Sequence, residues 1–289
     1  MTVYVEALSL VNALGEDDAI LANLAEGRAP GMEGPLVRTV DGFEAPFGRV
    51  TIDLPDTNPP SSRNNRLLRA CWNLRKTEFE SRLKDFEDER IAVVLGTSTS
   101  GSQEFSDWWK ARKFGSEKGA GLMLLTRRPS AVKLSGWGES SDGHHMSSPE
   151  PEGRGAEAAV RGALSRAGLT PDDIVYVNLH GTGTGQNDAS ELAAMNRVFG
   201  GRTAMSSTKT YTGHTLGAAG VTDAGLLVLG LMHGGLKLPA QFSEGQTPDE
   251  TLPLSGVLRE PALIAPGPVM STNLAFGGSN TALIFEPTS

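Results

Sequence analysis

Histidine, lysine and hydroxyl side chains gather in three short glycine-rich segments of the carboxyl-terminal half. The first segment, NLHGTGT at residues 178–184, places His180 at the end of an apolar run, with Thr182 and Thr184 in the flexible turn that follows. An imidazole at a strand end points into a cleft, and threonine hydroxyls there can hold a polar ligand. A core histidine whose nitrogens bond the backbone is the alternative for His180 on this segment alone.

The second segment, SSTKTYTGHTLGAAG at residues 206–220, carries Lys209 and His214. His214 begins a helix so rich in glycine and alanine that another element must approach it closely. A helix amino end lowers the pKa of an imidazole and favours its neutral form, which suits an electrophilic hydrogen-bond donor. Lys209 fits either a solvated surface or burial against Glu191.

The third segment, STNLAFGGSN at residues 271–280, contains Phe276, Gly277 and Gly278. Successive backbone amides around a Gly-Gly turn form a cradle for an anion or oxyanion, and Phe276 is placed to gate it. Taken alone, the segment is equally a generic glycine turn.

The elements that must position these segments alternate between strand and helix. This alternation predicts an α/β fold with ligands at the strand ends. Residues 28–60 have no period and are predicted to form surface loops. Strands are predicted at 2–8, 91–95, 174–179 and 203–206, strand pairs at 121–125 with 132–138 and at 269–274 with 282–285, and helices at 17–26, 63–86, 102–114, 154–167, 188–199 and 216–233.

An internal similarity indicates two related halves. RIAVVLGTSTSG at 90–101 is similar to DIVYVNLHGTGTG at 173–185, since each is an apolar strand followed by a glycine-rich G-T-x-T turn and a helix. Two such turns also arise by chance. If the repeat is true, the first half lacks about 64 residues between its turn and its closing strand pair, compared with the second.

Composition excludes several classes of protein. The chain has 289 residues, 38% hydrophobic and 21% charged, which is globular, and its net charge of −8 argues against nucleic acid and anionic membranes as partners. One cysteine, Cys71, cannot form an intrachain disulfide or a cysteine-rich metal site. The amino terminus lacks the basic region of a signal peptide, and the most apolar stretch, 224–238, is too short to span a bilayer. We expect a soluble, cytoplasmic protein.

Together and in this order, the three segments resemble the β-ketoacyl–acyl-carrier-protein synthases, the condensing enzymes of fatty acid and polyketide synthesis. The similarity extends through SSDGHHMSSPEPEGRGAEAAVRGALSRAGLTPDDIVYVNLHGTGTGQNDASE at 140–191, and more weakly through SRNN at 62–65 and VVLGTSTSG at 93–101. The resemblance implies a thiolase-like α/β fold of two pseudo-repeated halves in a layered αβαβα arrangement. Residues 1–140 would form the first half, which is incomplete, and residues 141–289 the second.

The same resemblance implies roles for individual residues. His180 and His214 match the paired histidines that bind the malonyl thioester and stabilise the enolate formed on decarboxylation. Lys209 matches a lysine that orders this region, with Glu191 as its partner and structural support. Substrate-binding positions are Thr182 and Thr184 in the phosphopantetheine tunnel, Phe276 as the gate, and Gly277 and Gly278. No cofactor or metal is implied, because phosphopantetheine arrives on acyl carrier protein as substrate.

The chain departs from the family pattern at the nucleophile. In the family this is a cysteine at a strand-to-helix turn of the first half, where the helix amino end lowers its pKa. Here WKARKFGSEKGAGLMLL at 109–125 runs directly from the first-half helix into the strand that normally follows long after that cysteine. Cys71 lies on an amphipathic helix at a core-type spacing instead.

We therefore expect a family member that handles malonyl or acyl thioesters on acyl carrier protein without condensing them alone. It would act as a partner subunit, like a chain length factor, or as a malonyl decarboxylase. The alternative is a non-enzymatic thiolase-fold scaffold that only pairs with a complete ketosynthase. The expected partners are acyl carrier protein and a second subunit, in a homodimer or a heterodimer.

Overall fold

The structure is a computed structural model that describes residues 2–34, 37–38, 44–45, 48–56, 63–87, 119–242 and 247–288. The predicted strand at 91–95, the predicted helix at 102–114 and the first copy of the repeat lie outside these residues. Within the described residues, no helix is both long enough and apolar enough to cross a membrane.

The described chain contains twelve strands and seven α-helices. The strands are β1 (Val3–Asn12), β2 (Gly15–Glu16), β3 (Val37–Arg38), β4 (Glu44–Ala45), β5 (Ala120–Thr126), β6 (Val132–Ser141), β7 (Tyr176–Asn178), β8 (Ala204–Ser206), β9 (Leu236–Leu238), β10 (Ala262–Ile264), β11 (Val269–Ala275) and β12 (Ser279–Pro287). The helices are α1 (Asp17–Ala25), α2 (Arg63–Leu74), α3 (Lys76–Leu83), α4 (Arg154–Ala167), α5 (Gly185–Phe199), α6 (Lys209–Thr212) and α7 (Ala219–Met232).

Eight strands form one mixed sheet in which β2, β1, β6, β12, β11, β7 and β8 are neighbours in that order and β5 pairs with β1. The final strand pair is formed as predicted, because β11 and β12 run antiparallel side by side. β7 lies parallel to both β11 and β8. The carboxyl ends of these three strands therefore meet at one edge, which is where ligands bind in α/β sheets.

Helices pack against different parts of the sheet. α2 packs on β1 and β5, α7 lies between these strands and β11–β12, and α4 packs on β6 and β12 with α5 beside it. α7 thus contacts two parts of the one sheet, while α2 packs on β1 and β5 and α4 on β6 and β12, so that helix and strand layers alternate as expected for a thiolase-like fold.

The middle helix, α7, is the most deeply buried element. Its sequence AGVTDAGLLVLGLM is apolar almost all round, and a helix of that kind must be covered on every side. Gly225 lets it approach β1, since a Cβ at this position would lie 2.7 Å from the methyl carbons of Leu10. The predicted close approach to this glycine- and alanine-rich helix is confirmed.

Three predictions about elements are wrong in detail. The helix predicted over 63–86 is broken into α2 and α3 at Arg75, whose φ of −123° and ψ of 23° leave the helical region. Its guanidinium Nε instead bonds Asp17 Oδ2 at 2.8 Å. β5 and β6 do not pair with each other: β5 is apolar and needs cover on both faces, so it joins β1 between α2 and α7. The predicted loop at 28–60 contains the short β3–β4 pair.

Candidate active site

Two imidazoles face each other at the edge where the parallel strands end. His180 follows β7 by two positions, and His214 lies between α6 and α7. Their ring centroids are 5.2 Å apart, and the rings are nearly perpendicular, at 85°. His180 is only 5% exposed, and His214 is half-buried. The structure therefore brings together two histidines that are 34 positions apart in the sequence.

Both imidazoles are held in the neutral form. Burial lowers the pKa of His180 to about 2, and the nearby charge of Lys209 acts in the same direction. Burial, followed by the charge of Lys209, lowers the pKa of His214 to about 4. A neutral imidazole keeps one N–H group, so each ring can donate a hydrogen bond to an oxygen on which negative charge develops.

Glu191, on α5, fixes the backbone that carries His180. Its Oε1 accepts the N–H of His180 at 2.8 Å and the hydroxyl of Thr272 at 2.7 Å, and its Oε2 accepts the N–H of Gly181 at 2.8 Å. Burial raises the pKa of Glu191, and these hydrogen bonds oppose that rise. The carboxylate therefore fixes the backbone of the loop that carries His180.

Lys209 pairs with Asp223 and not with Glu191, which corrects the predicted partner. The Nζ of Lys209 lies 2.6 Å from Oδ2 of Asp223, and both side chains are buried. Burial raises the pKa of Asp223, whereas the Lys209 charge lowers it. The physical reason is that the two oxygens of Glu191 already accept three hydrogen bonds from other groups. The carboxylate on the neighbouring α7 takes the ammonium group instead.

Asp223 and Asn273 also lie at this site, and neither was predicted from the sequence. The signal for Asp223 was present, since a lone carboxylate inside an apolar helix must be buried and needs a cation. Lys209, 14 positions earlier, is the cation that meets it. Asn273, on β11, hydrogen-bonds His180 and opposes the lowering of its pKa. For Asn273 the sequence offers no comparable signal.

The remaining predicted residues lie on loops at the same edge of the sheet. The hydroxyls of Thr182 and Thr184 are 2.9 Å apart in the turn after His180. Phe276 is 80% exposed at the end of β11.

Gly277 and Gly278 have φ angles of 82° and 75°, which only glycine adopts without strain. The Gly277 N–H donates to the carbonyl of Met146 at 2.9 Å. That bond removes one of the two amides from the predicted anion cradle.

Cys71 is far from nucleophilic in this fold. It is fully buried on α2 among Val11, Val50, Leu67 and Ala120. Burial, with the nearby Asp17 charge, raises the pKa of its thiol to about 12. A thiol of this kind is not ionised at neutral pH and does not attack a thioester. Among the residues that the structure describes, no group of three or more His, Cys, Asp or Glu side chains could hold a metal ion.

The sequence matches the family described as Beta-ketoacyl synthase, C-terminal domain, over residues 131–242. It is also similar to the 3-oxoacyl-[acyl-carrier-protein] synthase 2 of Staphylococcus aureus, with 33% identity over 256 residues. That alignment covers 85% of this chain and 55% of the relative, so the chain spans about half the length of the curated relatives that it matches.

Solved structures extend the comparison to the whole chain. A ketosynthase in complex with its chain length factor, from Xenorhabdus doucetiae, superimposes with a TM-score of 0.82 at 31% identity, covering 100% of this chain and 98% of that chain. A beta-ketoacyl synthase from Burkholderia phymatum STM815 has a TM-score of 0.71 at 22% identity, with 100% of both chains covered. Fold and sequence agree, and the chain belongs to the β-ketoacyl synthase family of the thiolase-like superfamily.

Proposed function

We propose that this chain binds malonyl groups carried as phosphopantetheine thioesters on acyl carrier protein and promotes their decarboxylation. The observation that carries the proposal is the pair of neutral imidazoles, His180 and His214, with ring centroids 5.2 Å apart. The reaction class follows from what such a pair can stabilise.

Decarboxylation of a malonyl thioester breaks the bond between the carboxylate carbon and C2. Carbon dioxide leaves, and the electron pair moves into an enolate whose negative charge rests on the thioester oxygen. A proton from water then adds to C2 and gives the acetyl thioester. The protein has to stabilise the oxyanion but need not supply a nucleophile. A preorganised donor contributes about 3 kcal/mol to such a step, and the two imidazoles supply two donors.

Groups around the histidine pair fit the rest of the substrate. The hydroxyls of Thr182 and Thr184 lie on the loop directly after His180, where they can hold the amide-rich pantetheine arm. Phe276 is exposed at the same edge, as a gate residue would be. The proposal needs no cofactor, because the pantetheine arrives with the carrier protein.

Condensation needs a nucleophile that holds the growing acyl chain, and the buried thiol of Cys71 cannot serve. We propose that a complete ketosynthase supplies it as the partner of this chain, which then acts like a chain length factor. The similarity to the Xenorhabdus doucetiae complex at 31% identity favours this assembly over a homodimer.

The test measures carbon dioxide release from malonyl-loaded acyl carrier protein by the wild type, His180→Ala and His214→Ala. Each substitution removes one donor, so we expect rates lower by about a hundredfold. His233→Ala is the matched control, because this exposed histidine lies at the opposite end of α7 from His214, and its rate should equal that of the wild type. Equal rates in all four proteins, or none above background, would leave only the scaffold interpretation.

A further inference from the structure

Gln241 lies in the loop after β9 and forms hydrogen bonds with the segment that carries Lys209. Its Oε1 accepts the N–H of Ser207 at 2.5 Å, and its Nε2 donates to the hydroxyl of Thr210 at 3.3 Å. The backbone N–H of Gln241 donates to the carbonyl of Leu258 at 2.8 Å, which anchors the main chain from which the side chain extends. One primary amide thus holds the segment on both sides of Lys209.

Ser207 connects this segment to the loop that carries His180. Its hydroxyl donates to the carbonyl of Gly181 at 3.0 Å and accepts the N–H of Lys209 at 3.3 Å. The two loops touch closely, because a Cβ at Gly181 would lie only 2.5 Å from Cβ of Ser207. A displacement of Ser207 would therefore move both Lys209 and the backbone beside His180.

We propose that Gln241 is a positioning residue for the His180–His214 pair. It holds Ser207 and Thr210 in place, so that Lys209 stays against Asp223 and beside both imidazoles. Gln241 contacts no reacting atom, and its effect passes through the 207–210 segment. The effect on catalysis rests on the function proposed above, whereas the effect on the imidazoles does not.

The amide suits this task better than other side chains of its size. Ser207 presents a backbone donor and Thr210 presents a hydroxyl, so the partner must accept at one atom and can donate at the other. An apolar side chain would leave the partly buried N–H of Ser207 without its partner, at a cost in free energy. We expect the segment to relieve that cost by moving, which carries Lys209 with it.

The first experiment replaces Gln241 with Met, which keeps the length and removes both hydrogen bonds. We expect kcat for carbon dioxide release to fall about tenfold, with KM within about twofold, because geometry at the reacting centre changes and substrate contacts do not. Proton NMR should show the titration midpoint of His214 moving upward as Lys209 moves away. Gln241→Glu should restore most of the activity, since a carboxylate accepts the Ser207 N–H and the Thr210 hydroxyl can donate to it.

The matched control is Lys237→Met, an exposed residue on β9 four positions before Gln241, which should behave as the wild type. Wild-type kcat and an unchanged His214 midpoint in Gln241→Met would overturn the proposal. So would a loss of activity that follows the folded fraction equally in the Met and Glu variants. If the wild type releases no carbon dioxide, the proposed function fails, and the NMR midpoints still decide the role of Gln241. If Gln241→Met does not fold, Thr210→Val removes one hydrogen bond alone, and an unchanged midpoint there counts against the proposal.

Discussion

At the scale of single residues, His180 depends on a carboxylate that lies behind it. Glu191 is 1% exposed and accepts two backbone N–H groups and the hydroxyl of Thr272. A charge is tolerated at such depth only when several donors replace the water that it has lost. The hydrogen bonds that offset the cost of burying the Glu191 charge also fix the backbone that carries the imidazole of His180.

Replacing Glu191 with Gln should destabilise the protein although the shape hardly changes. The amide nitrogen is a donor, so one of the three donors around it must face another donor and lose its bond. We expect the free energy of unfolding to fall by about 1–3 kcal/mol in urea titrations at neutral pH. Glu250→Gln, at an exposed ion pair with Arg259, is the control and should change it by less than about 0.5 kcal/mol. Equal effects in both variants would contradict this reasoning.

Acid should destabilise the fold through the histidine pair. In the unfolded chain an imidazole titrates near pH 6.5, whereas burial keeps His180 neutral down to a pKa of about 2 in the native state. Below about pH 6.5 the unfolded state therefore binds a proton that the native state does not, and stability falls as pH falls. The stabilisation is complete above pH 6.5 and is lost toward the native pKa.

The measurement compares urea unfolding of the wild type and His180→Gln at pH 7, 6 and 5. Below about pH 6.5 the wild type should lose more stability than the variant, at a rate approaching 1.4 kcal/mol per pH unit, roughly the limit for one proton. The raised pKa values of Glu191 and Asp223 act in the opposite sense. Both groups are present in both proteins, so the difference isolates the imidazole. Parallel pH dependences would show that His180 is not neutral in the native state.

At the scale of elements, glycines set how closely the layers pack. Gly138, on β6, lies against α4, and a Cβ there would overlap the carbonyl oxygen of Ala159. Gly162, in the middle of α4, has room for a side chain, because a Cβ there would meet only the Cα of Gly138, at an ordinary contact distance of 3.5 Å. Two glycines that touch each other therefore play different parts.

Alanine at these two positions should change stability in opposite directions. Gly138→Ala has to push α4 away from the sheet and should cost at least about 1–3 kcal/mol. Gly162→Ala gains helix propensity without a clash and should stabilise by about 0.5–1 kcal/mol. Thermal unfolding followed by circular dichroism measures both. A neutral Gly138→Ala would mean that the contact between β6 and α4 is looser than the structure shows.

Local sequence patterns predicted the positions of helices and strands better than the long-range contacts between them. The apolar period placed α4 at residues 154–167, where it lies. It also placed His180 after a strand, because that flanking pattern is local, whereas His214 does not begin a helix as predicted and lies five positions before α7. The break at Arg75 escaped prediction because no glycine or proline marks it, and the side chain of Arg75 bonds Asp17, which lies 58 positions away. The Lys209–Asp223 pair escaped for a related reason: the Glu191 acceptors are already occupied, and that becomes visible only in the folded molecule.

At the scale of the whole molecule, strands from two parts of the sheet pack against α7, and His214 lies in the segment that leads into this helix. The chemistry-bearing residues come from β11, α5, α6, α7 and the loops beside them, all within residues 178–276. The family match at 131–242 covers most of the same part. Two neutral imidazoles that can donate hydrogen bonds to an oxygen are therefore present, and burial raises the pKa of the single cysteine, Cys71.

A mixture with a complete β-ketoacyl synthase from the same organism should form a heterodimer that elongates acyl chains. Alone, the chain should form no acyl-enzyme and no β-ketoacyl product, because its single thiol, on Cys71, is buried with its pKa raised to about 12. Light scattering should show a one-to-one complex, and mass spectrometry should find the acyl group on the partner's cysteine. In that complex, His180→Ala in this chain should leave assembly intact and slow only the malonyl decarboxylation that this chain contributes. An acyl group trapped on Cys71, or elongation by the chain alone, would overturn the division of labour, and a clean monomer in the mixture would remove the partner.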